Sequence, residues 1–256
     1  MAAIRRADQV YCQQLTQQTA LSCGVAHTYP ETPHYHDGNH LREVIVPEHG
    51  SLTAAWDETE QFYSQAGLKC HAWVPAGHTP IDPLEAFLTG KGCTTRRSIG
   101  MAWTKDPDIA PRDDVRVLPA RAMRKACRAI RMQDDDIDED IRSDLADIFL
   151  ERLDEPQFDH FVATVDDEPA AAGTLFQVGE IGLIEDILVL AKYRGQGVAR
   201  SLMAHLLAMS KRLALRITVV TANEHNTHAL TLYERCGFER VGVLTHWHMP
   251  STSNLT

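Results

Sequence analysis

The sequence predicts a mixed α/β protein made of two related halves, each built on a sheet with parallel and antiparallel strands. Three observations lead to this prediction. Helix-like and strand-like segments alternate along the 256 residues. The phrase QFYSQAGLKCHAW at 61–73 is nearly repeated as TLYERCGFERVGV at 231–243. Between the two, a stretch typical of an antiparallel ribbon leads into an apolar strand, a turn with two glycines and an amphipathic helix.

The first half predicts a small mixed domain. Its segments alternate between a helical spacing of apolar residues and the short runs typical of strands. Gly67 follows the second helix, where a residue at positive φ commonly ends a helix, and Pro83 stands in the first turn of the third. Helices are predicted over about 7–21, 53–66 and 82–89, and strands over 43–46, 69–74 and 96–103.

A break between the halves is predicted at KDPDIAPRDD, 105–114, where two prolines stand among charged residues. We therefore divide the chain into a first domain over 1–105, a linker over 106–114 and a second domain over 115–256. The elements predicted after the linker are a strand at 115–120, an arginine-rich helix over 120–131, a helix from the acidic run DDDIDED at 134–140 to about 153, and three antiparallel strands within 160–193.

Composition and charge exclude several function classes. The net charge of −10 argues against nucleic acid, because proteins that bind it need basic patches. The sequence has neither an apolar run of about 18 residues, which a transmembrane helix needs, nor the apolar core of a signal peptide, so a cytoplasmic location is expected. The six cysteines lack metal-like spacing and are expected to be reduced.

No metal is expected in this protein. His34, His36 and His40 stand close together in the loop PHYHDGNH and could form a metal site. Imidazoles in a loop with proline and glycine, however, more often face solvent or bond nearby carbonyl groups. We therefore interpret the three histidines as structural.

The most specific pattern lies in EDILVLAKYRGQGVARSLMAHLLAMSKRL, 185–213. An apolar strand at 187–190 is followed by Gly195 and Gly197 and then by a helix with one apolar face. Such a turn lets backbone N–H groups point outward at the helix N-terminus, where a pyrophosphate can bind; a plain tight turn is the alternative. A nicotinamide or flavin cofactor is not expected, because the third glycine of the dinucleotide fingerprint is absent and the turn comes late.

Two motifs in this order resemble one family. RGQGVA at 194–199 is similar to the R/Q-x-x-G-x-G/A signature of the GNAT superfamily of N-acetyltransferases, with alanine in the last small position. NTHALTLYERCGF at 226–238 is similar to that family's N-x-x-A-x-x-L-Y-x-x-x-G-F element. The resemblance covers about 115–248. It implies tandem GNAT-like folds, of which the C-terminal one is complete.

The resemblance also implies residue roles around acetyl-CoA as co-substrate. The loop 194–200 would hold the pyrophosphate, and the strand 187–189 would pair with the pantetheine arm in a splayed gap before the next strand. An N–H near Leu188 would polarise the acetyl carbonyl, Asn226 would contact pantetheine, and Tyr233 would lie near the thiol. The residues implied in binding are Ile187, Leu188, Val189, Arg194, Gly195, Gln196, Gly197, Val198, Ala199, Arg200 and Asn226.

Two residues are candidates for catalysis. An alkylamine has a pKa near ~10.4, so a base must remove its proton before it can attack. Glu185 is the candidate base, because it lies at the mouth end of the strand while its neighbour Asp186 must face the opposite side. Tyr233 is the candidate acid, since a phenol with a pKa near ~10 suits a thiolate near ~8.5. The structural alternatives are an ion pair for Glu185 and a core position for Tyr233.

The repeated phrase is interpreted as a trace of the same fold in the first half. On this interpretation Tyr63 corresponds to Tyr233, and the upstream segment 37–56 lacks closely spaced glycines. The first half would then be a degenerate GNAT-like domain without its cofactor loop. Chance similarity of two short helix-to-strand junctions is the alternative.

The function predicted is transfer of the acetyl group of acetyl-CoA to a primary amine, by direct attack in a ternary complex. The alternative is a non-catalytic acyl-CoA-binding module with a regulatory or interaction role. The acceptor would be a small amine or a protein amino group, and the acidic residues Asp134, Asp135 and Asp136 favour a cationic one. A homodimer is left open, and no membrane partner is expected.

Overall fold

The chain divides into two compact units, each assembled from separate stretches of sequence. The computed structural model describes residues 1–14, 16–35, 38–46, 51–107, 111–134, 137 and 139–250. The C-terminal unit consists of Met1, residues 3–8 and residues 99–242, and the N-terminal unit of Ala2, residues 9–98 and the chain from 243. The compact units therefore cut the chain at other places than the predicted boundaries of 1–105, 106–114 and 115–256.

The N-terminal unit is a mixed sheet with two helices of its own. Its elements are part of α1 (Ala2–Gln13), β1 (Gln17–Leu21), β2 (Gly24–Thr28), β3 (His40–Val44), α2 (Leu52–Gln65), β4 (Ala72–Pro75), α3 (Ile81–Gly90), the start of β5 (Thr94–Trp103) and the end of β11 (Phe238–His248). The strands β1, β2 and β3 are antiparallel neighbours, and β3 is parallel to β4. The indoles of Trp73 and Trp247, opposite one another on β4 and β11, are fully buried in its core.

The predicted helix over 7–21 is wrong in its second half. The helix α1 ends at Gln13, and the chain returns as the hairpin of β1 and β2, in which Gln17 pairs with Thr28 and Leu21 with Gly24. Four of the five β1 residues are exposed, so the strand buries little apolar surface of its own. Backbone pairing with β2 therefore decides its structure, which the side-chain pattern does not reveal.

The C-terminal unit is a larger mixed sheet in the order β11-β5-β10-β9-β8-β7-β6. Its further elements are β6 (Val115–Pro119), α4 (Arg124–Arg131), α5 (Glu139–Glu151), β7 (Phe158–Val165), β8 (Glu168–Val178), β9 (Ile181–Val189), α6 (Val198–Arg212), β10 (Ile217–Asn223) and α7 (Thr227–Arg235). The strands β6 to β9 are antiparallel, as predicted for the ribbon, and β9 is parallel to β10.

Helices cover both faces of this sheet. On β7, Phe161 and Ala163 pack in a cluster with α6 and α7, whereas Val162 between them packs with α4 and α5. This is the alternation that a strand imposes on successive side chains. The site described below therefore lies in a sheet whose two faces are built from different helices.

The two units share one connectivity. In the N-terminal unit α2 joins the parallel strands β3 and β4, just as α6 joins the parallel strands β9 and β10. By this connectivity α2 corresponds to α6, and α3 corresponds to α7. The interpretation of the repeated phrase, which matched α2 with α7 and Tyr63 with Tyr233, is therefore wrong in its register, and the alternative of chance similarity holds for those two phrases.

The predicted fold class is confirmed as a mixed α/β architecture. The helix α5 starts at Glu139, inside the acidic run 134–140, whereas Asp135, Asp136 and Asp138 lie outside the described residues. Within the part of the chain that the structure describes, no helix has the length and apolar character needed to cross a bilayer.

Candidate active site

The site is built around a gap between β9 and β10. The two strands pair from Ile181 and Ile217 up to Ile184 and Val220. Beyond that point β9 continues to Val189 and β10 to Asn223. The stretch 185–189 therefore has one edge that β10 does not cover, which is the splayed gap expected from the sequence.

A β-bulge shapes β9 at the start of the gap. Thr174 on β8 opposes Glu185 and Ala172 opposes Leu188, so that two residues of β9 stand against one of β8. Asp186 takes up the irregularity with a φ of 60°, an uncommon conformation for a residue with a side chain. A bulge of this kind bends the strand and redirects its side chains.

At the free edge of β9, the backbone N–H and C=O groups that face the gap are those of Val189. The N–H of Leu190 donates to the carbonyl of Ala170 at 2.9 Å, and paired residues in an antiparallel ladder alternate between bonded and non-bonded. The amide of Leu188 therefore faces β8, and the N–H and C=O of Val189 face away from it. Arg194 confirms the second direction, since its Nε donates to the Val189 carbonyl at 3.0 Å.

The loop after β9 has a backbone suited to an anion. Gly195 and Gly197 both have positive φ, of 74° and 83°, and Gly197 is the N-cap of α6. Glycine offers no side chain to cap the first N–H groups of the helix, which therefore stay available to a ligand. Alternation of left-handed and right-handed residues also gathers successive N–H groups into one concavity.

The side chains of this loop take different roles. Val198 is buried in the core below α6, so it can offer only its backbone to a ligand. The amide of Gln196 donates to the carbonyl of Lys192 at 2.6 Å and closes the loop on itself. An added Cβ at Gly195 would meet nothing within 4 Å, whereas one at Gly197 would meet Cδ of Arg112 at 3.5 Å.

Arg112 is a loop contact that the sequence analysis missed. Its Nη1 donates to the carbonyl of Gln196, and its backbone N–H donates to Oγ of Ser201 at 3.0 Å. Its guanidinium also binds both carboxylate oxygens of Asp114. Its position at the end of the predicted linker gave no signal of this contact.

Tyr233 lies on the face covered by α6 and α7, and the charge of Glu185 acts on its phenol. Burial raises the pKa of the Tyr233 phenol well above its usual value, and the nearby charge of Glu185 raises it further. Tyr233 is only 6% exposed and belongs to the core cluster of this face. Its phenol therefore holds its proton throughout the physiological pH range, but it is a weaker acid than the sequence argument assumed.

Asp186 lies on the side of the sheet that α4 covers. Its Oδ2 accepts from the hydroxyl of Thr174 at 3.3 Å, and Arg131 donates to its backbone carbonyl at 2.8 Å. The hydroxyl of Thr174 also bonds Nδ1 of His160 at 2.8 Å. Burial lowers the pKa of His160 to about 3, so this buried imidazole is neutral at physiological pH.

Asn226 has a structural role of its own. It is the N-cap of α7, and its Oδ1 accepts from the N–H of Ala229 at 3.0 Å. Its presence in the sequence is therefore explained in part by helix capping, and it is weaker support for a bound ligand than the motif alone suggested.

The corresponding helix of the N-terminal unit begins differently. Its N-cap is Ser51, whose Oγ accepts from the N–H of Ala54 at 3.1 Å. A side chain of the protein thus occupies the position that Gly197 leaves open in α6. The N-terminus of α2 is therefore less suited to an external anion.

The histidine loop is divided between surface and core. His34 is exposed, whereas His40 is buried and stacks on His27 with 5.0 Å between ring centroids. His36 lies outside the described residues. Among the residues that the structure describes, no group of three or more His, Cys, Asp and Glu side chains could hold a metal ion.

Comparisons with known proteins show which family and fold the chain resembles. The sequence profile of the acetyltransferase (GNAT) family matches residues 124–238. A GCN5-related N-acetyltransferase from Kribbella flavida is 15% identical, with a TM-score of 0.72 over 99% of this chain and 97% of that one. One from Sphaerobacter thermophilus is 17% identical, with a TM-score of 0.61 over 98% and 91%.

A tandem protein has the same architecture. The tandem GNAT protein from the clavulanic acid biosynthesis pathway is 14% identical, with a TM-score of 0.61 over 96% of this chain and 88% of that one. At these identities the likeness shows the fold. It confirms the predicted tandem arrangement, with the family profile falling on the C-terminal copy. Residues 124–238 therefore match the acetyltransferase (GNAT) family, and the fold of the whole chain is that of tandem GNAT proteins.

Proposed function

We propose that the protein is an N-acetyltransferase that transfers the acetyl group of acetyl-CoA to a primary amine. The observation that supports this most is the continuity of three features in one unit. The free edge of β9 over 185–189 begins at Glu185 and leads directly into the glycine loop, and the charge of Glu185 acts on the phenol of Tyr233. A tight turn alone would need none of this arrangement.

Binding would use the backbone more than side chains. The N–H groups around Gly195 and Gly197 would receive the pyrophosphate, with Arg194 and Arg200 nearby on the loop. The pantetheine arm would run along Ile187, Leu188 and Val189 as an added strand, and Asn226 would offer its amide N–H groups. Since Val189 faces the gap, we assign the N–H that polarises the acetyl carbonyl to Val189.

The reaction would proceed by direct attack in a ternary complex. Glu185 accepts a proton from the ammonium group of the acceptor, whose neutral nitrogen then attacks the acetyl carbonyl carbon. The C–N bond forms, the C–S bond breaks, and the departing thiolate takes a proton from the phenol of Tyr233. The remaining extra proton of the attacking nitrogen then returns to the Tyr233 phenolate, which leaves the neutral amide. Proton transfer from a phenol of raised pKa to a thiolate is uphill in free energy. Tyr233 is therefore a better acid when the bound ligand changes the buried surroundings that raise the pKa of its phenol.

The acceptor we propose is cationic, either a small amine or a protein amino group. This proposal rests on the net charge of −10 and on the acidic run at 134–140. Asp134 is partly buried, and Asp135 and Asp136 lie outside the described residues.

A cytoplasmic location belongs to the same proposal. So does a degenerate GNAT-like origin of the N-terminal half, which the side-chain cap of α2 by Ser51 supports.

Two matched glycine variants test the binding of acetyl-CoA. Gly195→Asp places a carboxylate in the anion concavity, and we expect acetyl-CoA to bind about 30-fold more weakly, or ~2 kcal/mol. Gly179→Asp is the control, because Gly179 also has positive φ and open space around it but lies in the turn between β8 and β9. Calorimetry measures both. Equal affinities in the two variants would show that the loop does not bind the pyrophosphate.

A further inference from the structure

We infer that Arg112 is a positioning residue for the pyrophosphate loop, one that turns the peptide between Gln196 and Gly197 so that its N–H faces the ligand. This inference rests on the proposed binding of acetyl-CoA. It assigns a role to a residue that lies outside both motifs and more than 80 residues before the loop in sequence.

The first step is the geometry of one peptide bond. Arg112 Nη1 binds the carbonyl oxygen of Gln196, and the chain has no cis peptide bond among the described residues. In a planar trans peptide the C=O and the following N–H point in opposite directions. A guanidinium that holds the Gln196 carbonyl on its own side therefore directs the N–H of Gly197 to the other side.

The second step is that this peptide needs an external constraint. Gly195 and Gly197, on both sides of Gln196, have positive φ, and glycine rotates more freely than other residues. A flip of the peptide would bring the carbonyl oxygen into the concavity, where it would repel a phosphate oxygen. The side chain of Gln196 bonds Lys192 and fixes the loop, but it does not fix the direction of this carbonyl.

The third step concerns how Arg112 is itself held. Its backbone N–H donates to Oγ of Ser201, a buried side chain in the first turn of α6. Both its Nε and its Nη2 bind Asp114, so the charge of the guanidinium is balanced next to the loop. The arrangement therefore suits the orientation of a peptide better than the direct attraction of a phosphate.

The test compares three ligands in calorimetry and NMR titration: acetyl-CoA, 3′-dephospho-acetyl-CoA and S-acetylpantetheine, which has no pyrophosphate. In Arg112→Gln we expect acetyl-CoA and its 3′-dephospho form to bind five- to tenfold more weakly, the effect of one lost hydrogen bond. The affinity for S-acetylpantetheine should stay unchanged. A general loosening of the fold would weaken all three ligands alike and would overturn the inference.

Two further variants separate the contacts of Arg112. Asp114→Asn removes the ion pair and leaves the bond to Gln196, so acetyl-CoA should bind no more weakly than to the natural protein. Arg116→Gln is the control, since the exposed ion pair of Arg116 is with Asp167 and not with a residue of the loop. An equal loss in Asp114→Asn and Arg112→Gln, or a loss in Arg112→Gln confined to the ligand with a 3′-phosphate, would contradict the orienting role. Should the natural protein bind neither nucleotide ligand, the proposed function itself fails.

Discussion

At the scale of single residues, the site depends on two adjacent acids of β9 that have different surroundings. The charge of Glu185 acts on the phenol of Tyr233, whereas Asp186 accepts a hydrogen bond from Thr174 and is held by Arg131 on the side of α4. Asp186 adopts a positive φ at the bulge, where two residues of β9 stand against one of β8. Asp186 therefore has a structural role in the sheet, and Glu185 is kept as the candidate base.

We predict that Glu185→Gln lowers kcat at pH 7 by about 100-fold, the lower range for loss of a general base. The affinity for acetyl-CoA should change less than twofold, and activity should recover in part above pH 9, because more of the acceptor amine is then neutral. Stopped-assay rates between pH 6 and pH 10 measure this. Glu180→Gln, at an exposed position just before β9, is the control. A Glu185→Gln enzyme with full activity at pH 7 would assign the proton to water or another residue.

At the scale of elements, the N-termini of corresponding helices explain why one unit has a candidate cofactor loop and the other does not. The N-cap of α6 is a glycine, which leaves the first N–H groups of that helix open. The N-cap of α2 is a serine, whose side chain accepts from one of the first N–H groups of α2. The helix α7 also has a side-chain cap, Asn226. The same residue can thus stabilise a helix and offer its amide group to a ligand.

We predict that the two roles of Asn226 can be separated by replacing it with serine or alanine. Asn226→Ala should lower the free energy of unfolding by ~1 kcal/mol, whereas Asn226→Ser should keep it, because serine is a good N-cap. Both variants lose the amide N–H groups, so both should bind acetyl-CoA about fivefold more weakly. Chemical denaturation and calorimetry measure the two effects. A serine variant with full affinity would leave helix capping as the whole role of Asn226.

At the scale of the whole molecule, each compact unit depends on residues from both parts of the sequence. The C-terminal unit includes residues 99–103 of β5, which lie between β10 and β11 in the strand order, and Met101 is fully buried in its core. Ile4 and Ala7 of α1 are also buried and belong to this unit. A fragment that begins at 115 lacks all of them.

We predict that the fragment 115–256 does not fold, although it contains both GNAT motifs. Without β5, β10 would lose a neighbouring strand and the core would lose Met101. In the full chain, Met101→Ala should cost ~2 to 5 kcal/mol of unfolding free energy, as for other large side chains removed from cores. Circular dichroism and thermal unfolding measure both. A folded fragment that binds acetyl-CoA as tightly as the full chain would support the domain boundaries predicted from the sequence.

The charge of the molecule leads to a prediction about the acceptor. Once thermal-shift screening of amines with acetyl-CoA has identified an acceptor, replacing Asp134, Asp135 and Asp136 by asparagine should raise its KM at low salt. The difference should shrink towards 1 M salt, where the Debye length falls to ~3 Å. The control replaces the exposed Glu31, Asp57 and Glu60 by amides, which changes the net charge equally, from −10 to −7. Equal KM values for both triple variants would reject steering by the acidic run.

The sequence by itself determined the ribbon of β7 to β9, the glycine loop and the chemistry available at Glu185 and Tyr233. These features depend on local rules: alternation along strands, glycine at positive φ, and the proton affinities of side chains. They are properties of neighbouring residues, so a linear pattern can carry them.

The tertiary structure alone decided which strands complete each unit, how far β9 and β10 pair, and that Arg112 contacts Gln196 84 residues away. It also decided that Tyr233 is buried, that β1 forms a strand and that α2 corresponds to α6 and not to α7. These outcomes depend on backbone pairing and burial between distant segments. Their free energy comes from contacts that no short pattern encodes, because the same local sequence can satisfy its hydrogen bonds in more than one way.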